Sequence, residues 1–580
     1  MTMHKAYRTI AALTTVGALT STLSFAQSKA EDSRRLEEIA RNAAQEFAAA
    51  RASEKTGKEE QTRSTTPPSP AGTVVELTLD DSTQRALERN LDIAVERLNP
   101  QTYDFAIAAL DANYKPTLTS NFSTRSQTAF ARSQTAGGDV LVTDTITNNY
   151  GLTQNMRWGG GSFAVAFNNN RQAQSDAFAI RNPALNANLS AAFAQPLLRN
   201  FRIDGTRTQL QVTKINQQIS ETTLRATITR TVANVRNAYW DLVYAIQAAD
   251  VAERSLQLAN RLVEDNQARV EVGTLAPLDV VQAQAEQATR RQTVTQTIAA
   301  RRTAELALKR LIVNGTDDPL WSVTLEPIDR PTYSSTPIDV AAAVRKALGS
   351  RTDLETAHKQ LQANDINLKS LTDTQLPALD LTASYGLAGI GGPQFVRQGL
   401  GGTITDVIPG GFSNALGLIK DFRAPTWNVG LSLSYPIGTS PAEANVARAR
   451  LQQRQTLAQS RALELQIATE VTNAALQVEA NQERLQASNV ALELAEKRLE
   501  AEQSRFDVGL STNFFVVSAQ RDLRDAQNAQ LRALLDYRRA QVDFERVQEI
   551  PAAGGGGITT IQGGAGQAPR ANTGGGGGFN

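Results

Sequence analysis

The 580-residue sequence has no cysteine and only two histidines, His4 and His358. Without cysteine there is no disulfide, no thiolate metal site, no cysteine nucleophile and no lipid-modified cysteine anchor. Two histidines cannot build a multi-histidine metal centre. A Ser-His-Asp triad would have to use His358, because His4 lies in a segment read below as a leader. Charge of one sign is missing too. The chain has 59 basic and 58 acidic residues, a net charge of +1, which gives no general electrostatic reason to bind nucleic acid. Beyond the leader no apolar run reaches the roughly 18 residues that a transmembrane helix needs. The expectation is therefore no enzyme, no cofactor and no metal.

What is present begins with Lys5 and Arg8, a charge-free apolar run from Thr9 to Phe25, and the small-x-small site Ser24-Phe25-Ala26. That pattern predicts an export signal over 1–26, with an ordinary helical N-terminus as the competing reading. Residues 27–73 form a charged arm ending in a Pro-rich linker, and 552–580 form a Gly-rich tail that cannot bury enough apolar surface to repay its ordering entropy.

The middle of the chain reads twice. Ala86-Leu87 aligns with Ala347-Leu348, and Asp92 with Asp353 and Pro116 with Pro377 keep the same offset. Arg269-Val270-Glu271-Val272-Gly273 aligns with Arg505-Phe506-Asp507-Val508-Gly509. A duplicated unit is the economical reading, with a first repeat over 74–333 and a second over 334–551. Each repeat has 67 residues free of proline and glycine, Thr206–Val272 and Ala442–Val508. As helices these would run roughly 100 Å. In the first, Ile228, Val235, Leu242, Ala249, Leu256, Val263 and Val270 recur every seven residues, with Ala238, Ala245, Ala252 and Ala259 three positions after successive members of that set. This is an a/d seam with alanine at d, so neighbouring helices can approach closely. Val471, Val478, Leu485, Leu492, Leu499 and Phe506 repeat the a positions.

Between the helices the period changes. Leu379, Leu381, Ala383 and Tyr385 alternate with Asp380, Thr382 and Ser384; Val429, Leu431, Leu433 and Tyr435 alternate with Gly430, Ser432 and Ser434. Ala187, Leu189, Ala191 and Phe193 do the same, and Leu118, Ser120 and Phe122 less cleanly. Such segments suit barrel strands, apolar outside and wet inside, against the alternative of a soluble sandwich. Two strands per repeat are expected, and residues 148–170 suggest an extra hairpin that adds barrel strands or a rim.

These residues resemble the TolC family of trimeric outer-membrane efflux and secretion ducts over roughly Leu77 to Ile550. The resemblance rests on Leu79-Asp80 to Asp92, Tyr114-Lys115-Pro116, Gln195-Pro196-Leu197-Leu198 and the two hairpin tips following Gly273 and Gly509. It implies a membrane α+β fold, in which three chains share a transmembrane β-barrel and a long periplasmic α-helical coiled-coil barrel built from two internal repeats. It also implies the partners: a homotrimer in outer-membrane lipid, a periplasmic adaptor (membrane fusion) protein, and an inner-membrane pump of RND, ABC or MFS type. The function implied is the exit duct of a tripartite efflux or type I secretion system; the alternative is a coiled-coil structural or adhesive surface protein.

By position, the family's adaptor-docking tips fall on Val272, Gly273 and Thr274 and on Val508, Gly509 and Leu510. A helix C-cap glycine would look the same. The family's periplasmic gate carries acidic residues six and nine positions after the second tip glycine, where this chain has Phe515 and Ser518, and Ser511 stands where a basic residue is common. Asp279 matches the latch position of the first tip, but it also suits the first turn of a returning helix. Phe514-Phe515 suggests an apolar constriction in place of the acidic ring.

Overall fold

The computed structural model describes residues 74–551 except 131–138, 177, 274, 331–336, 400–401 and 439. The expected leader, charged arm and tail lie outside the described residues, as does Thr274.

The repeat is visible element by element. Strand β1 (Val74–Leu77) leads into helices α1 (Leu79–Arg89) and α2 (Leu91–Ala112). Four strands follow, β2 (Thr117–Phe130), β3 (Val140–Asn155), β4 (Ser162–Gln174) and β5 (Ala184–Pro196). Next come α3 (Gly205–Glu271), α4 (Pro277–Ile312), the single turn α5 (Pro319–Ser322) and β6 (Thr324–Pro327). The second repeat opens with α6 (Val340–Ser350) and α7 (Thr352–Asp373). It continues through β7 (Ala378–Gly391), a small hairpin of β8 (Gln394–Arg397) and β9 (Ile404–Ile408), and α8 (Phe412–Lys420). It closes with β10 (Pro425–Ser434), α9 (Pro441–Asp507) and α10 (Asn513–Val547). The matching helices have equal or nearly equal lengths: 11 and 11, 22 and 22, 67 and 67, then 36 and 35 residues.

Caps explain where the short helices begin. The Thr78 side chain accepts from the Asp81 amide, and Asn90 accepts from Asp92 and Ile93 while donating 3.0 Å to the Leu311 carbonyl. Asp339 caps α6 in the same way. Each satisfies amides that a helix start leaves orphaned, so the breaks between α1 and α2 are encoded locally.

The a/d seam of α3 is buried at Val235, Leu242, Ala249 and Val263, while Ile228, Leu256 and Val270 are only half-buried; all four d-position alanines are buried. Of the a positions named for α9, Leu492 alone is only half-buried. The main core gathers Leu77, Ala86, Tyr239, Leu242, Leu308, Ile312, Leu325 and Leu535. It seals the parallel β1–β6 pair, α1 and α4 against the middle of α3. The Tyr239 hydroxyl shares its one proton between the Leu77 carbonyl at 3.0 Å and an Asp329 carboxylate oxygen at 2.9 Å. From Val74 onward the chain is one unit, so the two repeats do not part into separate bodies.

The strand count corrects the expectation of two strands per repeat. One six-stranded antiparallel sheet runs β10-β7-β5-β4-β3-β2, four strands from the first repeat and two from the second. The expected extra hairpin is β3–β4, and it lies inside the sheet. It was hard to count from the sequence because Thr143–Thr147 and Asn148–Asn149 put polar residues on both faces of β3. The chain reverses between β3 and β4 through Gly159 and Gly160, both at φ +67.

Candidate functional site

Two parts of the molecule carry functional geometry: the sheet and the paired helix tips.

The strand register sorts the sheet into two surfaces. Leu118, Leu152, Val165, Ala191, Tyr385 and Trp427 form one row across all six strands. The next row, pointing to the other face, is Thr119, Gly151, Ala166, Ser190, Gly386 and Thr426. One face is therefore apolar and the other small and polar, the pattern of a wall between lipid and water. Asn121, Asn149, Asn168 and Asn188 line up on the polar face. On β10 the apolar side chains Trp427, Val429, Leu431 and Leu433 are all exposed in a single chain. Edge strand β2 is exposed along its whole length. Among the described residues, no helix is long and apolar enough to cross a membrane.

At the tips, α3 and α9 end alike. Gly273 and Gly509 adopt φ +75 and +77, the left-handed conformation that ends a helix. The Gly509 amide donates to Phe506 at 3.1 Å and Leu510 to Arg505 at 2.8 Å, the paired bonds of a Schellman motif. A side chain at either glycine would meet nothing within 4 Å, so it is backbone conformation, not crowding within the chain, that calls for glycine. Val272, Val508 and Leu510 are each at least 70% exposed, and Leu278, Phe514 and Phe515 beside them are also exposed. A concentration of apolar side chains in water marks a contact surface.

The fold brings the two tips together although they lie far apart in sequence. Arg269 pairs with Asp507 at 3.2 Å and stands 4.3 Å above the Phe506 ring. Leu262, Phe506 and Val516 share a small core. Asn513 donates to the Asp279 carbonyl at 3.4 Å. Asp279 itself lies half-buried in the first turn of α4, where helix amides favour a carboxylate. Phe514 and Phe515 pack edge to face at 5.7 Å on the first turn of α10, and Ser518 is half-buried one turn on.

One group near the tips escaped the sequence reading. Glu286 and Arg290 of α4 are buried, and Arg521 of α10 reaches Glu286 from the other repeat. Burial works to raise the Glu286 carboxyl, but the hydrogen bond and charge of Arg521, with the Arg290 charge, outweigh it and hold the group below the ordinary glutamate range. Burial lowers the Arg290 guanidinium, and the like charge of Arg524 adds to this. The i,i+4 spacing of Glu286 and Arg290 was visible as an ion pair; its burial and its third member were not. A second buried cation, Arg351, is held between Asp353 and Glu470 and so ties α7 to α9. His358 is exposed on α7. No group of three or more metal-capable side chains occurs among the described residues.

The model of one protein family, described as "Outer membrane efflux protein", matches residues 162–314 and 343–547, more than half of the chain. No curated protein matches the sequence. Among solved structures, the fold is similar to the outer-membrane channel OprN, with TM-score 0.58, 17% identity and coverage of 81% of this chain and 89% of that one. It is also similar to the Campylobacter jejuni CmeC outer membrane channel, with TM-score 0.58, 15% identity and coverage of 81% and 85%. The open state of the Neisseria gonorrhoeae MtrE channel matches with TM-score 0.55, 18% identity and coverage of 81% and 88%.

Proposed function

The chain belongs to the outer membrane efflux protein family, and from that premise we propose that three copies close one barrel and one helical tunnel, forming a passive duct that crosses the outer membrane and continues into the periplasm. The observation that carries this reading is the sheet: apolar on one face, small and polar on the other, with β10 and β2 as its two edges. Lipid tolerates no unpaired strand edge, and six strands from one chain cannot enclose a water-filled lumen. Three chains would pair β10 of one with β2 of the next and supply about eighteen strands, a number at which barrels leave an aqueous channel. A coiled-coil stalk with an adhesive or structural role has no use for a sheet of this polarity.

The tips at Val272–Thr274 and Val508–Leu510 are the docking surface for a periplasmic adaptor, which couples the duct to an inner-membrane pump. Their exposed apolar side chains support this. Phe514 and Phe515, with Asp279 and Ser518 beside them, form the constriction at the same end. Purified trimer in a planar bilayer should give discrete conductance steps. A monomer that stays in solution without detergent and gives no conductance would overturn the reading.

A further inference from the structure

The duplication lets each helix be compared with its counterpart. Helices α2, α3 and α4 correspond to α7, α9 and α10, and they align at their first residues: Leu91 on Thr352, Gly205 on Pro441 and Pro277 on Asn513. Their contacts are not equivalent. Helix α3 receives two helices of the second repeat, since α7 and α10 each pack on α3 as well as on α9. The reciprocal contact is missing within the chain: α2 and α4 pack on α3, and among the described residues neither packs on α9.

Burial follows the same asymmetry. Both long helices have 67 residues, yet α3 buries 21 of them and α9 only 10. Thr222 is buried where its counterpart Ala458 is exposed, and Ile215 is buried where Leu451 is exposed. Trp240 is buried, with Arg538 of α10 5.6 Å above its ring, and its counterpart Leu476 is exposed. The helices that lack a second partner carry a matching face. Leu91, Val95, Leu98 and Phe105 fall on one side of α2 at helical spacing, and all four are exposed. On α4, Ile298 stands where α10 has Leu534, and it is exposed too.

We propose that α2 and α4 of one copy pack on α9 of the next, repeating between chains the contact that α7 and α10 make with α3 inside one. This rests on the duct reading and adds to it which surfaces join the copies and in what register. The occupant is a second copy because both halves of the contact are already in the molecule: two helices short of a partner, and one long helix short of the two that its counterpart holds. A repeat buries its face only against a neighbouring repeat, and a head-to-tail contact of this kind closes into a ring.

The register comes from the contact inside the chain. Lys359 of α7 donates to the Gln218 carbonyl at 3.0 Å and to the Thr222 hydroxyl at 2.8 Å, and Glu355 pairs with Arg225. The repeat carries these meetings to Leu98 against Arg454 and Ala458, and to Ala94 against Ala458 and Arg461. Ala94 and Ala458 are both exposed in the single chain.

The sequence has no cysteine, so introduced thiols are the only ones. Ala94→Cys and Ala458→Cys chains, each bearing one substitution, would be co-assembled in detergent and treated with a short bis-maleimide. The expected product on a denaturing gel is a dimer that needs both variants and is lost when either is left out. Leu98→Arg sets a cation against Arg454 and should destabilise the assembled trimer, with Arg454→Glu restoring it in the double variant. Size-exclusion chromatography with light scattering separates the two ways of failing. Trimers that give no mixed dimer, with both thiols open to a water-soluble maleimide, would overturn this packing and leave the duct standing. Chains that stay monomeric in detergent would overturn the duct reading as well. Trimers of Leu98→Arg as stable as wild type would also count against the register.

Discussion

Removing the Glu286 carboxylate should weaken the tips more than removing the arginine that reaches it. Glu286 and Arg290 are only 7% and 2% exposed at the side chain, whereas the Arg521 side chain is 54% exposed. A Glu286→Ala variant leaves the Arg290 guanidinium buried without its carboxylate partner, and one of its terminal nitrogens already lacks a hydrogen bond. Breaking a buried pair in this way costs about 3–5 kcal/mol. Arg521→Ala removes a half-solvated partner and should cost nearer ~1 kcal/mol, since Glu286 keeps Arg290. The loss falls on the contact between α4 and α10, so it should appear as local opening. Hydrogen exchange at 280–290 and 513–525 should speed up between about a hundredfold and several thousandfold for Glu286→Ala, the range expected for about 3–5 kcal/mol, and about fivefold for Arg521→Ala. The pH dependence has a definite sign. The native carboxyl titrates below its unfolded value, so its stabilisation is fully present above the ordinary glutamate range and is lost as pH falls through the native value. Wild-type exchange at the tips should therefore be flat near neutrality and rise only in acid. Equal, small effects of the two variants, or an acid response that survives in Glu286→Ala, would refute the account.

Three further outcomes follow from the same geometry. Leu242→Ala, at the buried seam beside Tyr239, should lower unfolding stability by about 2–5 kcal/mol in detergent denaturation, with trimers still formed at low temperature. Gly509→Val forces a β-branched residue into φ +77 and should cost about 1–3 kcal/mol at the tip, read as faster local exchange; adaptor binding that survived unchanged would count against the docking surface. Phe515→Ala should raise single-channel conductance if the exposed Phe514–Phe515 pair narrows the end of the duct, and unchanged conductance would remove those rings from the gate.

The duplication, the 67-residue helices and the glycine-ended tips could be read from the sequence because each is a local signal. Proline and glycine are absent across whole segments, hydrophobic residues recur every seven positions, and Gly273 and Gly509 fall where a left-handed residue is needed. Helix starts at Thr78, Asn90 and Asp339 are equally local, being set by side chains two or three residues from the amides they satisfy. The strand count was not local. Thr- and Asn-rich β3 has weak contrast between its faces, and only its pairing with β2 and β4 decides which side meets the apolar row.

What the sequence by itself determined is the period of each segment, and with it helix or strand, since a side chain's direction depends on its immediate neighbours in the chain. Tertiary structure alone decided which distant residues meet: Arg521 on Glu286, Arg269 on Asp507, and Ala415 of α8 over Gly389. Those meetings depend on how two long helices cross and how six strands align, and no spacing along the chain records a crossing.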